Sequence, residues 1–389
     1  MKILYLHQYF NTNKGSTRSY EIASHLVSRQ HQVTMITGSD TETCDGMKII
    51  STKTKYKQEH GYLQRLLSFI HYMYKSFFIG LKEKNIDVIY ASSTPLTIGL
   101  IGLLLAKIKR CKFIFEVRDL WPDIPIELGI IRNYWLKKIL FMLEKVIYIK
   151  ADKIIVLSPG MKEDLLRKGV NQGKIFTVTN FADIDYFAEI TPQQREEAVK
   201  KLGQEGKFIC LYAGTLGFVN NIDYILNLAE QTEDPDIVYV IVGNGKEKER
   251  LVRIKQEKQL NNVIFLDQVP KKVAYAYMSI CHVGMVIAHN YESLNRNSAN
   301  KLFDFWGAGK PTLINYKGWQ HGVMEKYMAG HGFEYNELLK MKDYVVTLKN
   351  NHRLYSNIVQ NIKQLAQDYE KTKLVTLIET IIINTVEDK

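Results

Sequence analysis

Between residues 297 and 311 the chain reads Asn297-Ser-Ala-Asn-Lys-Leu-Phe-Asp-Phe-Trp-Gly-Ala-Gly-Lys-Pro311. Ser298, Ala299 and Asn300 are small, and small residues at a helix N-terminus let an anion reach the open backbone N–H groups. Lys301 follows as a cation for phosphate, and Asp304 falls three residues later on the same helical face. A lysine and a carboxylate so spaced suit a nucleotide sugar: ammonium to diphosphate, carboxylate to sugar hydroxyls. Gly307 and Gly309 end the helix, and Pro311 opens an extended run to Asn315. Spacing alone fits a solvated amphipathic helix with a glycine stop equally well.

Other chemistry-bearing residues also follow strand-like runs. After Lys2–Leu6 the chain passes His7 and reaches Gly15-Ser16 before a helix. Such a turn can present N–H groups to an anion, but it has neither dinucleotide-fingerprint nor P-loop spacing. After Lys112–Val117 come Arg118, Asp119, Trp121, Pro122 and Asp123. Arg118 suits a phosphate or sugar hydroxyls. Asp119 and Asp123 can accept a proton or a sugar hydrogen bond, and Trp121-Pro122 forms a rigid wall. A loop of structural salt bridges is the plainer alternative. Gly214-Thr215-Leu216-Gly217 and Gly243-Asn244-Gly245 are two more phosphate-sized turns. His7 and His289 follow strands and are candidates for function, whereas His31 and His282 adjoin strand starts and read as structural. No His/Cys/Asp/Glu spacing suits a metal, and no Gly-x-Ser-x-Gly elbow occurs.

The elements that must position these residues alternate along 389 residues. Strand-like runs at Lys2–Leu6, Gln32–Thr37, Met47–Ser51, Asp87–Tyr90, Lys112–Val117, Lys153–Leu157 and Phe176–Thr179 are separated by helical stretches. A polar segment, Glu189–Gly206, intervenes, with a helix cap at Thr191. The alternation then restarts at Lys207–Ala213, Ile237–Val242, Val263–Leu266, Val283–Ile287 and Thr312–Asn315, and the region from Tyr355 on reads as helical. Near-continuous apolar strands alternating with helices imply parallel sheets covered on both faces. The expected architecture is α/β, with two Rossmann-like doubly wound domains: 1–185, 186–365, and a C-terminal helix over 366–389 returning to the first. Ligands then bind at strand C-termini, where the sheets face each other across a cleft.

Hydrophobic residues make up 46% of the chain and the net charge is +11. The first figure excludes a disordered chain, and the second favours an anionic partner. Four scattered cysteines, Cys44, Cys111, Cys210 and Cys281, argue against disulfides and for a cytoplasmic setting. No signal peptide or spanning segment is expected; Leu96–Ala106 is apolar but too short, and reads as a buried helix. Tyr62–Leu81, rich in aromatics and flanked by lysines, reads either as a packed helix or as a shallow dock on an anionic lipid surface.

Taken together, Ile3–Phe10, Glu116–Asp123, Leu157–Gly160, Tyr212–Gly217, Val242–Gly245 and Asn297–Pro311 resemble the retaining, family-4 glycosyltransferases of GT-B fold. Within them the resemblance is to the WbuB type of bacterial surface-polysaccharide enzymes, which are N-acetylfucosamine transferases. It implies a nucleotide-diphosphate sugar held mainly by the C-terminal domain and an acceptor on the N-terminal one. It implies donor contacts at Gly15, Ser16, Gly214, Thr215, Gly217, Gly243, Gly245, Ser298, Ala299, Asn300 and Lys301, with Asp304 on the ribose. Arg118 falls where many relatives carry a histidine near the donor sugar. Two departures stand out. Arg296 replaces the first acid of the family's E-x7-E motif, and Thr215 and Asn221 replace an Arg/Lys pair. Phosphate neutralisation then rests on Lys301, helped by Arg296 or Arg118 and helix dipoles.

The expected function is a cytoplasmic glycosyltransferase, peripheral at the inner membrane face, with Arg118, Asp119 and Lys301 as catalytic residues. The expected donor is UDP-linked and the acceptor polyprenyl-diphosphate-linked, in O-antigen or capsule synthesis, with no metal, cofactor or nucleic acid. The rivals are a nucleotide-sugar 2-epimerase of the same fold and a nucleic-acid-binding protein; scattered positive charge and the lack of a recognition motif weigh against the latter.

Overall fold

The computed structural model describes residues 1–10, 17–39, 46–54 and 62–388, apart from the side chains of residues 62, 63 and 65. Gly15 and Ser16 lie outside the described residues, as does Cys44.

The chain forms two compact units. The first comprises Met1–Thr179, Arg296–Ser298 and Thr372–Lys389. Among the described residues its sheet has seven parallel strands: β1 (Lys2–Leu6), β2 (Gln32–Thr37), β3 (Lys48–Ser51), β4 (Val88–Ser92), β5 (Lys112–Val117), β6 (Lys153–Val156) and β7 (Ile175–Thr177). They lie in the order β3-β2-β1-β4-β5-β6-β7. The second unit comprises Asn180–Asn295 and Ala299–Lys371. Its six parallel strands are β8 (Phe208–Ala213), β9 (Ile237–Val242), β10 (Val263–Leu266), β11 (Val283–Val286), β12 (Thr312–Ile314) and β13 (Gly330–Gly332), in the order β10-β9-β8-β11-β12-β13.

Both orders step outward from a central strand and then cross back to its other side, so each unit is a doubly wound α/β sheet with a crevice at its switch point. In the first unit that crevice lies beyond the tips of β1 and β4, and in the second beyond β8 and β11. The middle strands are buried on both faces: every residue of β4, β8 and β9 is buried. This is why their sequences run continuously apolar instead of alternating.

The expected strands are present with ends shifted by a residue or two, but β13 is additional. Its sequence, Gly-His-Gly, carries no apolar signal. It pairs with β12 so closely that a Cβ at Gly330 would lie 2.4 Å from the Thr312 carbonyl oxygen. The polar segment after residue 189 holds a full capping box. Thr191 caps the helix Pro192–Leu202, and Gln194 bonds back to the Thr191 amide.

The last helix, Lys371–Glu387, buries Val375, Ile378, Ile381 and Ile382. Its Glu379 carboxylate takes His25 at 2.9 Å and His31 at 3.0 Å, so residues 372–388 are integral to the first unit.

Candidate functional site

In the second unit the site is built on the turns after β8 and β9. The two turns are stitched together by backbone. Gly214 N–H donates to the Val242 carbonyl at 2.9 Å, Leu216 N–H to Asn244 at 2.9 Å, and Glu247 N–H to Leu216 at 3.1 Å. A Cβ at Gly243 would lie 1.9 Å from the Gly214 oxygen, and one at Gly245 would lie 2.2 Å from the Leu216 oxygen. These positions are glycine because the neighbouring turn occupies the space, a constraint that spacing does not reveal. Gly217 is different, with its nearest surroundings 3.7 Å away.

Lys301 comes to this turn from the helix Asn300–Gly307, which crosses between β11 and β12. Its ammonium donates to the Tyr212 hydroxyl at 2.8 Å and to Asn220 Oδ1 at 3.3 Å, and it lies 4.1 Å from the Tyr212 ring centre. The Tyr212 hydroxyl donates onward to the Thr215 carbonyl at 2.9 Å. A Cβ at Gly214 would stand 3.1 Å from the ammonium, so glycine there leaves room for the lysine head. The hydrogen-bond partners of Lys301 are therefore neutral. Burial pushes its pKa down to about 7, against the opposing pull of Asp304. A cation held this way gains strongly from an arriving anion, which restores its proton and its charge.

The same helix is capped at Ala299, a residue with no side-chain oxygen to satisfy the first amides. Asp304, one turn beyond Lys301, faces a different neighbour: its carboxylate accepts from the Tyr275 hydroxyl at 2.6 Å. Burial raises its pKa, against the Lys271 charge and the Tyr275 hydrogen bond. Lys301 thus serves the β8 turn while Asp304 serves the helix Lys271–Ile280. Ala299, Asn300, Gly214, Thr215 and Gly217 share the second unit with them, whereas Ser298 clusters with the first. Arg296, expected to help with phosphate, also clusters there, and its guanidinium is 3.1 Å from Asp164.

Beside the β8 turn lies a pocket of about 470 Å³ that includes Gly217, Phe218, Asn221, Arg250, His289 and Tyr335 in its wall. Arg250 clasps Asp223 through two bonds of 2.8 and 2.6 Å and reaches Glu247 at 2.7 Å. The rings of Phe218 and His289 lie 4.4 Å apart, and Asn221 donates to the Tyr335 hydroxyl at 2.9 Å. Burial lowers the His289 pKa, opposed by Asp223 and Glu247. Among these residues only Gly217, Asn221 and His289 stand out in the sequence; Arg250 and Tyr335 carry no local motif.

In the first unit the candidate residues gather at the tips of β1 and β5. Arg118 donates to His7 Nε2 at 3.3 Å. Arginine can only donate, so this nitrogen is an acceptor and the proton sits on Nδ1. Burial and then the Arg118 charge push the His7 pKa down to about 3, so the imidazole is neutral and orients Arg118. Asp119 accepts from Thr94 at 2.8 Å and from the Asn297 amide at 3.1 Å. Asp123 takes Lys168 at 2.6 Å, which makes it a structural partner.

Beneath them is a fully buried ion pair: Arg18 Nε meets Glu116 at 2.7 Å, and its other nitrogens donate to the carbonyls of Val178 and Thr179. Burial raises the Glu116 pKa, but Arg18 and Arg118 outweigh it and hold the carboxyl below its usual range. No motif marks this pair, whose members are 98 residues apart. Among the described residues no group of three or more His, Cys, Asp or Glu is placed to hold a metal.

Two doubly wound units in succession are the fold called GT-B, and solved structures agree on it. Anabaena Alr3699/HepE in complex with UDP-glucose aligns with a TM-score of 0.75 at 15% identity over all of both chains. Sucrose-phosphate synthase from Thermosynechococcus elongatus gives 0.78 at 14%, again over all of both chains. A model of the glycosyl transferase 4-like domain matches residues 15–180, and a model of the glycosyl transferases group 1 domain matches residues 193–295. It is 23% identical over 186 residues to the putative colanic acid biosynthesis glycosyl transferase WcaI of Escherichia coli (strain K12). That match spans 46% of this chain and 46% of WcaI, less than half of each.

Proposed function

We propose that the protein is a retaining glycosyltransferase of bacterial surface-polysaccharide synthesis, and that its second unit binds a UDP-linked sugar. One observation carries the reading: the Lys301 ammonium rests on neutral partners at the β8 turn, on a helix whose N-terminus has no side-chain cap. A diphosphate there receives a cation and open amides together. As the bond to the anomeric carbon breaks, negative charge grows on the leaving diphosphate. Groups already aimed at that charge lower the barrier without reorganising.

The Anabaena HepE structures, solved in complex with UDP or UDP-glucose, support a UDP donor. The name of WcaI supports an exopolysaccharide product. Attack from the face that the diphosphate leaves gives retention and needs no protein nucleophile. On the first unit, Asp119 is assigned to orienting the acceptor hydroxyl and Arg118 to contacting sugar. The transferred sugar is proposed to be a deoxy-amino sugar such as N-acetylfucosamine. The acceptor is proposed to be a polyprenyl-diphosphate-linked saccharide of O-antigen or capsule at the inner membrane face. The positive charge comes from Lys301 and helix termini, so turnover is expected to persist in a chelator.

The test is a panel of UDP-, GDP- and dTDP-sugars measured for protection against thermal unfolding, because a ligand that binds only the native state raises the midpoint. A UDP-sugar that protects the wild type but not Lys301→Ala supports the reading. Equal protection of both removes Lys301 from the site.

A further inference from the structure

Three helices of the first unit pack side by side: Tyr62–Lys82, Thr97–Lys109 and Tyr134–Lys150. Their contact is close. A Cβ at Gly80 would meet Leu105 at 2.5 Å, and one at Gly99 would meet Ile147 at 2.9 Å. The third helix has two apolar faces. Inward it buries Ile147 and Tyr148, together with its single acid, Glu144, which Lys168 holds at 2.8 Å. Outward it presents Trp135, Ile139, Met142, Val146 and Ile149 at steps of four, three, four and three residues, the spacing of a continuous helical stripe. These side chains reach solvent; Trp135 is 67% exposed and Met142 62%. The middle helix adds exposed Leu104 and Ile108, and the first adds Ile70, Tyr74 and Phe78.

None of these side chains belongs to the buried cluster of the first unit. A contiguous exposed apolar surface of this kind marks an interaction site. Charge selects the occupant. Apart from inward-facing Glu144, the three helices carry no aspartate or glutamate, but they carry three, two and four lysines or arginines. Lys138, Lys145 and Lys150 flank the outward stripe and are exposed. A second copy of the chain docked face to face would set these lysines against themselves with no carboxylate on the stripe to pair with. An anionic lipid surface takes both components: apolar side chains enter the acyl boundary while lysine stems snorkel their charges to the phosphates. Tyr134 and Trp135, at the start of the helix, are the residue types that settle at the headgroup level.

We propose that the outward face of the Tyr134–Lys150 helix, continued by the two helices beside it, seats the first unit on an anionic bilayer. The proposal rests on the lipid-linked acceptor above for its purpose, but its observations are separate from the nucleotide site. In the sequence only Tyr62–Leu81 offers a lipid dock, as one of two readings; among the described side chains the Tyr134–Lys150 helix supplies more exposed apolar residues.

The experiment is co-sedimentation of the full chain with vesicles of phosphatidylglycerol and phosphatidylcholine, against vesicles of phosphatidylcholine alone. The expected result is binding to the anionic vesicles that weakens with salt. Reversal of two charges, Lys138→Glu with Lys145→Glu, is expected to lower that binding roughly tenfold or more. Trp135→Ser with Met142→Ser is expected to abolish it. Both variants change exposed side chains and are expected to keep the thermal protection given by UDP-sugar. Failure of the wild type to bind anionic vesicles, or unchanged binding by both variants, overturns the proposal. So does a dimer, seen by light scattering, that the serine substitutions dissolve, because the face is then a self-interface. If vesicles bind but no nucleotide sugar protects, the donor reading falls and the docking surface stands.

Discussion

The Lys301 ammonium lies 2.8 Å from the Tyr212 hydroxyl and 4.1 Å from the centre of the same ring, next to the turn that follows β8. The lysine is thus aimed and partly desolvated before any ligand arrives, with no opposing carboxylate to release. Lys301→Ala is expected to reduce sugar transfer on the order of 10²-fold or more, as loss of one preorganised charge stabiliser does. Lys301→Arg is expected to retain part of the rate. Turnover of Lys301→Ala near the wild-type rate in a donor-saturated assay would remove the mechanism.

The depressed pKa of Lys301, about 7, sets a pH dependence. In the unfolded chain a lysine titrates near ~10.4. Between those values the unfolded state holds more protons, so this group makes stability of the free protein rise with pH through that window. Nucleotide binding runs the opposite way. A bound diphosphate draws the pKa back up, so binding takes up a proton above neutrality and weakens as pH rises. Calorimetry at about pH 8, in two buffers of different ionisation enthalpy, should show proton uptake of a fraction of one per site. Lys301→Arg, charged throughout, should show none.

The paired turns predict unequal effects of equal mutations. Gly243→Ala puts a methyl group 1.9 Å from the Gly214 oxygen, and backbone cannot rotate away as a side chain can. A cost of about 1–3 kcal/mol or more is expected, together with loss of nucleotide protection. Gly217→Ala, with room around it, should stay within about 0.5 kcal/mol of wild type. Denaturant titrations of the two variants compare them directly, and equal losses would show that the turns can separate.

The buried Arg18–Glu116 pair makes a third stability prediction. Arg18→Met strands a carboxylate at no exposure, and Glu116→Leu strands a guanidinium. Each is expected to cost about 3–5 kcal/mol, while the double substitution costs clearly less than the two together. A double-mutant cycle by chemical denaturation measures that coupling; simple additivity would mean that the pair is not energetically linked.

Much of this fold is readable from residue order, because strands buried on both faces announce themselves as unbroken apolar runs. Twelve strands lie within a residue or two of such runs. β13 does not, because Gly330-His331-Gly332 pairs through its backbone and needs no apolar side chain. The positions of Lys301 and Asp304 one helical turn apart follow from spacing, but their divergence toward Tyr212 and Tyr275 depends on what packs against the helix. Gly243 and Gly245 look like a phosphate turn, yet their glycines serve contact with a neighbouring turn 29 residues earlier, from Gly214 to Gly243. Arg18 with Glu116, and Arg250 with Asp223, join residues distant in sequence, and no local pattern marks such partners. The outward stripe of Tyr134–Lys150 has the periodicity of a core helix, and only exposure tells its two apolar faces apart.

Glu379, held by His25 and His31, carries one more consequence. The amino-terminal half of the chain does not contain all of the unit it begins. A ribosome that has finished β7 has made all seven strands, yet the helix that buries Ile378 and Ile382 is still about two hundred residues from emerging, with the whole second sheet to come first. The first half to be synthesised is therefore the last to be completed, and a fragment ending near residue 180 should emerge with a sticky, unroofed flank rather than as a finished domain.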